Sequence, residues 1–402
     1  MSRRWLALAG VGALLASTAV AQQVSGDVVR VGVLTDMSGA YADLGGQGSV
    51  VAAQMAIEDF SKSGTVLGKK IELISADHQN KPDVASVIGR EWYDTRGVDV
   101  IVDLPNSAAA YAVMDIAEQK KKLVVVSSGG ALAITNERCN AYTAHWVYDS
   151  YPLTNSLPAA LVKQGKKKWF ILTVDYSAGH VLEAETIKAV KAAGGQVVGT
   201  VRHPLGSNDF SSFLLQAQGS GADIIALANT GQDAIKAVNT AHEFGITKTQ
   251  TLVPLLMVLN DVHAVGLEKM QGVNLLEPFY WDRNEATRAW AQRFNERFKR
   301  MPNMAHAGVY SGVLNYLKAV EAAKTDDAEA VIKVMKSTPI DDAVFKGTLR
   351  EDGRMVHDML VVEVKAPQAS KAPWDYYTIK SVISGEDSAQ PLSDSKCKLI
   401  KR

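Results

Sequence analysis

The sequence predicts an α/β protein whose parallel sheets form two similar lobes. Two observations carry this expectation. Short β-branched runs alternate with helical segments, the signature of βαβ units, and the runs fall into two comparable series. The first series is Val28 to Leu34, Ile71 to Ser75, Val98 to Leu104 and Leu123 to Val126. The second is Trp169 to Val174, Val197 to Arg202, Asp223 to Ala228 and Thr251 to Leu255. With 402 residues, 47% of them hydrophobic and 21% charged, the chain can fill two cores.

Helices are expected between these runs. Val50, Ala53, Ile57 and Phe60 recur at helical spacing after Gly45, Gly46 and Gly48, so one face packs on a sheet. From Trp281 to Arg300 the chain is charged and amphipathic, with Trp290, Phe294 and Phe298 forming one apolar stripe that reads as core. Tyr310, Val313, Leu314, Leu317 and Val320 mark a further helix. Met359 to Val364 returns to strand character, and the remaining tail, rich in Pro, Ser and Asp, reads as a surface wrap.

Residues 1–21 have a different character: Arg3 and Arg4, an apolar stretch from Trp5 to Ala16, then Ala19-Val20-Ala21 before Gln22. This is the pattern of a cleavable secretory signal peptide, too short for a comfortable membrane span, and it predicts a periplasmic protein. Export bears on Cys139 and Cys397, because an oxidising compartment lets a lone pair persist as a disulfide; two unpaired buried thiols are the alternative.

Lys plus Arg and Asp plus Glu both number 43, so no basic footprint for nucleic acid is present. Catalytic spacings are also missing. The eight histidines include no H-E-x-x-H, and neither cysteine has a C-x-x-C neighbour, so no metal site or cofactor is expected. Gly308-Val-Tyr-Ser311-Gly312 misplaces the serine of a nucleophile elbow by one position. Gly45-Gly46-Gln47-Gly48 lacks the third glycine of a dinucleotide fingerprint. Asp36, Asp77, Asp103, Asp175 and Asp233 lie near strand ends, where carboxylates usually cap helices or bind backbone. The sequence is therefore read as that of a binder, not an enzyme.

In open α/β sheets, ligands bind beyond the carboxyl ends of the strands. The loops there are Thr35 to Tyr41, Pro105 to Ala108, Ser127 to Ala131, Asp175 to Gly179 and Asn229 to Asp233. Small residues and hydroxyls dominate them, which lets backbone N–H groups and helix N-termini approach an anion.

Thr35-Asp36-Met37-Ser38-Gly39, Asp103-Leu-Pro-Asn-Ser-Ala108, Ser127-Ser-Gly-Gly-Ala131, Asp175-Tyr-Ser-Ala-Gly179, Phe279-Tyr-Trp-Asp-Arg283 and His306-Ala-Gly-Val-Tyr-Ser311 follow one another along the chain. In that order they resemble the branched-chain-amino-acid-type, leucine-binding-protein-like periplasmic binding proteins of ABC importers, and among them the subset found beside aromatic-acid catabolism. The resemblance implies a type I fold: two doubly wound lobes joined by three crossovers, near Tyr148, Phe279 and Met355. Lobe one would hold residues 27–147 and 280–355, and lobe two residues 148–279 and 356–402. It also implies a small-molecule ligand, with permease and ATPase subunits as membrane partners; the protein itself is expected as a monomer.

Carried onto this chain, the family's ligand hydroxyl falls at Ser107, between Asn106 and Ala108, and the ligand carboxylate falls against Gly129, Gly130 and Ala131. The second lobe would contribute Tyr176, Ala178, Asn229 and Thr230, with Tyr280 beside the second crossover. One departure sets the expected ligand class. Amino-acid binders of this family hold the α-ammonium with an acid at the position that here is Leu255, and a buried ammonium without its partner is costly. Leu255 and Leu256, with Leu44 where the family often has an aromatic, favour a carboxylate head on an apolar or aromatic body. The ligand expected is thus a small organic acid. An amino-acid carrier, a ligand-sensing receptor of the same fold and, last, a secreted hydrolase are the alternatives.

Overall fold

The computed structural model describes residues 24–401, so the expected leader at residues 1–21 lies outside the described residues. The first lobe is built on a six-stranded sheet. Its strands are β1 (Val28–Thr35), β2 (Thr65–Val66), β3 (Lys69–Asp77), β4 (Val100–Asp103), β5 (Leu123–Val126) and β6 (Thr143–His145), ordered β2-β3-β1-β4-β5-β6. All pairings are parallel except that of the short edge strand β2. The β-branched runs read from the sequence are the strands of this sheet because both faces are covered. Val29, Val31, Val33, Val100 and Val102 point into one core, and Leu34, Ile101 and Val124 into the other.

Helices α1 (Gly46–Phe60), α2 (Pro82–Asp94) and α3 (Ser107–Lys120) follow β1, β3 and β4. The second lobe begins with α4 (Ser150–Lys163) and a parallel sheet of β7 (Lys168–Val174), β8 (Gln196–His203), β9 (Ile224–Ala228) and β10 (Thr251–Pro254), ordered β10-β9-β7-β8. Between and after these strands run α5 (Ser177–Ala192), α6 (Ser211–Gly219), α7 (Gly231–Glu243), α8 (Leu259–Val265) and α9 (Leu267–Met270).

After β11 (Asn274–Glu277) the chain returns to the first lobe as α10 (Glu285–Phe298), α11 (Met304–Ala323) and α12 (Ala328–Ser337). The expected aromatic stripe of α10 is core: Trp290 and Phe294 are buried, and Arg293 and Arg297 pair with Asp59 and Glu58 of α1. An antiparallel trio follows, β12 (Ile340–Asp341), β13 (Lys346–Leu349) and β14 (Met355–His357), tied to β6 by a bridge between Arg354 and His145. The last strands, β15 (Met359–Val364) and β16 (Tyr377–Ile383), form an antiparallel sheet with β11, so the tail holds one strand more than expected.

The end of the tail is tied back to the first lobe. A Cys139–Cys397 disulfide and hydrogen bonds from Lys396 to Asn136 and Glu137 fasten it there, at the expected cysteine pair. Among the described residues, no helix is long and apolar enough to cross a membrane.

Candidate functional site

The carboxyl ends of β1, β4 and β5 face those of β7 and β9, and the loops that leave them line a cavity between the two lobes. The first lobe lines it with Tyr41, Leu44, Pro105, Ser107 and Gly130, and the second with Val174, Tyr176, Ala178, Asn229, Thr230 and Leu256. Tyr148, on the connection between the lobes, closes one wall.

Strand-end carboxylates shape the walls. Asp36 accepts the backbone N–H groups of Gly39 (2.7 Å) and Tyr41 (2.9 Å), a tight turn that aims the Tyr41 ring into the cavity. Asp103 and Leu104 both adopt positive φ (89° and 58°), a conformation unfavourable for residues with a side chain. Their neighbours hold it: the Asp103 carbonyl accepts from Ser127 N at 3.0 Å, and its buried carboxylate accepts from the Ser128 hydroxyl. That bend carries the chain through Pro105 to the start of α3.

At the start of α3, Asn106 caps the helix, its side-chain oxygen accepting from Ala108 N (2.8 Å) and Ala109 N (3.1 Å). Ser107 follows as the first helical residue. Its hydroxyl is buried and has no hydrogen-bond partner. A buried hydroxyl beside a helix N-terminus is suited to an anion, because the helix dipole and the O–H both favour negative charge there.

The tyrosines are neutral donors. Tyr41 donates to the Tyr176 hydroxyl at 2.7 Å, across the two lobes, and Tyr148 donates to the Ser128 carbonyl at 2.6 Å. Burial raises the pKa of all three, that of Tyr176 to about 12. Gly130 is required beneath Tyr148, since a Cβ there would stand 2.6 Å from the ring. On the second lobe, Gly231 at positive φ lies against the Ala40 carbonyl, which a Cβ would approach to 2.8 Å.

Residues 28–371 match the model of a family described as periplasmic binding protein. The chain belongs to the periplasmic binding protein family. A periplasmic binding protein from Burkholderia mallei is similar over 93% of this chain and 100% of its own, at 49% identity and a TM-score of 0.91. A branched chain amino acid ABC transporter periplasmic ligand-binding protein from Burkholderia xenovorans LB400 is 42% identical, with a TM-score of 0.82 over 92% of this chain and 99% of its own. At the level of fold, a solute-binding protein of an ABC transporter from R. palustris, in complex with benzoate, aligns with a TM-score of 0.80 at 19% identity, covering 92% of this chain and 100% of its own. These relatives are named as binding proteins, two of them of ABC transporters, not as enzymes, and the type I fold is the expected one. Family membership implies a small-molecule ligand and membrane permease and ATPase partners.

Of the expected ligand residues of this binding protein, Leu44, Ser107, Gly130, Tyr176, Ala178, Asn229 and Thr230 come together around the cavity. Six others lie outside its lining. Asn106 is spent on capping α3, and Ala108 follows it one residue beyond Ser107 in the same turn. Gly129 packs under the Leu104 carbonyl, its own carbonyl bonded to His145 Nε2 at 2.5 Å, and Ala131 is buried in the core beneath α3. Leu255 is buried in the second lobe's core; of the two leucines expected on the ligand's apolar side, Leu256 lines the cavity. Tyr280 receives the Tyr377 N–H at 3.3 Å, away from the cavity. Tyr41 and Tyr148 are cavity residues that the sequence reading did not single out. Tyr41 stands in a loop already marked as ligand-facing, so one bulky ring among small residues was the available signal.

Proposed function

We propose that this binding protein captures a small organic acid, an aromatic or aliphatic monocarboxylate, between its two lobes and presents it to an ABC importer. One observation carries the reading. The cavity wall offers a buried, unpartnered serine hydroxyl at a helix N-terminus and, among the described residues, no Asp or Glu. A carboxylate there gains the Ser107 hydrogen bond and the helix dipole, whereas a buried ammonium would lack its counter-charge. Neither Asp233 nor Asp282 lines the cavity: Asp233 accepts from Gly206 N at 2.9 Å through Oδ2, and Asp282 pairs with Arg288 at 2.9 Å. Benzoate in the R. palustris relative supports the same ligand class on this fold.

Calorimetric titration with benzoate, 4-methylvalerate and leucine tests the reading. The two acids should bind and leucine should not. A hundredfold excess of acid over its Kd should stabilise the protein by about 2.7 kcal/mol. Leucine binding more tightly than 4-methylvalerate, its deaminated counterpart, would overturn the ligand class. Residues 1–21 are proposed as the leader removed on export to the periplasm. The intact mass of protein recovered from that compartment should correspond to a chain beginning at Gln22.

A further inference from the structure

His203 fixes the hydrogen-bonding state of the second lobe's wall. The ring is fully buried between the end of β8 and the aromatic rings of Phe210 and Phe213, whose centroids lie 4.7 and 6.0 Å away. Its Nδ1 faces two acceptors, the Pro204 carbonyl at 3.0 Å and Asp233 Oδ2 at 3.9 Å. Nδ1 must therefore carry the hydrogen. Burial lowers the pKa of this imidazole and so favours the neutral ring, in which Nε2 is a lone pair facing the Asn229 amide.

Asn229 Nδ2 lies 3.0 Å from that Nε2. Only the amide nitrogen can donate to a lone pair, which fixes the flip of the Asn229 amide and turns its oxygen away from His203. Asn229 lines the cavity, it is only 1% exposed, and its Oδ1 has no partner. The rest of the wall offers hydroxyls, each able to donate to an anion. Ser107 keeps its hydroxyl, and Tyr176, which accepts from Tyr41, keeps its own proton for another acceptor. The cavity thus has hydroxyl donors for an anion and, in Asn229 Oδ1, an unfilled acceptor that cannot turn into a donor.

We propose that Asn229 is a specificity-determining residue that accepts a hydrogen bond from a hydroxyl group of the ligand, so that the site takes a hydroxy-substituted acid in preference to the unsubstituted one. His203 acts as a positioning residue, holding the amide nitrogen so that the oxygen is the end left for the ligand. This rests on the organic-acid reading and narrows it. A buried site built to accept a ligand O–H discriminates strongly against an analogue without one, because the acceptor is then left unpaired.

Calorimetric titration of the mature protein with 3- and 4-hydroxybenzoate, the two matching methoxybenzoates and benzoate tests the proposal. At least one hydroxybenzoate should bind about tenfold more tightly than benzoate, and its methoxy counterpart should gain nothing. In Asn229→Leu, and in His203→Phe, the ratio of hydroxybenzoate to benzoate affinity should collapse toward one; a purely structural role would move both affinities together. Benzoate matching both hydroxybenzoates, or the preference surviving Asn229→Leu, would overturn the proposal while leaving the organic-acid reading in place. Failure of every carboxylate to bind would overturn both. Should either variant not fold, the five ligands on the unaltered protein still decide.

Discussion

The hydroxyl of Tyr41, on the first lobe, donates to that of Tyr176, on the second, at 2.7 Å. No segment of chain links the two residues directly, so the bond exists only while the lobes are closed. It is a latch over the cavity, adding to whatever the ligand contributes to closure. Tyr41→Phe keeps the ring and removes the donor. Ligand affinity should fall by about 0.5–1.5 kcal/mol, roughly two- to tenfold in Kd, mainly through faster dissociation. Stopped-flow dissociation rates check this; an unchanged off-rate would show that the contact does not hold the closed form.

Ser107 is the first lobe's unpartnered donor in the cavity. Ser107→Ala should weaken carboxylate binding by about 1.5–3 kcal/mol, about ten- to a hundredfold in Kd, the range for a hydrogen bond to a charged group. Thermal unfolding of the ligand-free protein should change little, since the hydroxyl supports no other residue. Calorimetry against differential scanning of the same variant separates the two effects.

Much of this arrangement was legible in the sequence. The central strands are β-branched because they are covered on both faces, and their following loops held Ser107, Gly130, Tyr176, Asn229 and Thr230. What escaped notice lacked that pattern. β6, Thr143–His145, is three residues long and contains His145, so nothing marked it as a sheet strand or Tyr148 beyond it as a cavity wall. Leu255 illustrates a different limit. Strand β10 ends at Pro254, and whether residue 255 or 256 faces the cleft depends on the backbone turn that follows, which residue type does not report.

The disulfide joins residues 258 apart and fastens the tail to the first lobe. A Cys139→Ser, Cys397→Ser double variant should lose about 2–4 kcal/mol of stability, less than the chain-entropy limit for so long a loop. Ligand affinity should persist, because neither cysteine lines the cavity. Non-reducing and reducing mass spectra confirm the bond, and chemical denaturation measures the loss.

Arg354, beside β14, and Asp149, between β6 and α4, form a buried ion pair at 3.0 Å, joining two of the three connections between the lobes. The guanidinium also donates to the carbonyls of His145 (3.4 Å) and Val147 (3.3 Å). Asp149→Asn leaves that cation without its counter-charge and should cost about 3–5 kcal/mol. Replacing both partners, as Asp149→Leu with Arg354→Met, should cost less than the single change, and urea midpoints give the comparison.

His306 of α11 reaches back to the Gly45 carbonyl through Nε2 at 3.0 Å and so supports the cavity loop that begins at Tyr41. Burial lowers its pKa from about 6.5 to about 4. Between these values the unfolded chain binds a proton that the native state refuses, so this residue makes stability fall as pH drops from about 6.5 toward 4. The full effect is about 3 kcal/mol, with a slope of at most about 1.4 kcal/mol per pH unit. His145 and His357, lowered to about 3 and about 4, act in the same direction, while Asp261, raised by burial to about 7, opposes them. A difference measurement isolates the one group. His306→Gln retains a side-chain donor for the Gly45 carbonyl but does not titrate. Between pH 6.5 and 4.5 it should lose less stability than the unaltered protein, by up to about 2–3 kcal/mol in urea denaturation. Identical pH slopes for the two proteins would mean that His306 does not resist protonation in the native state.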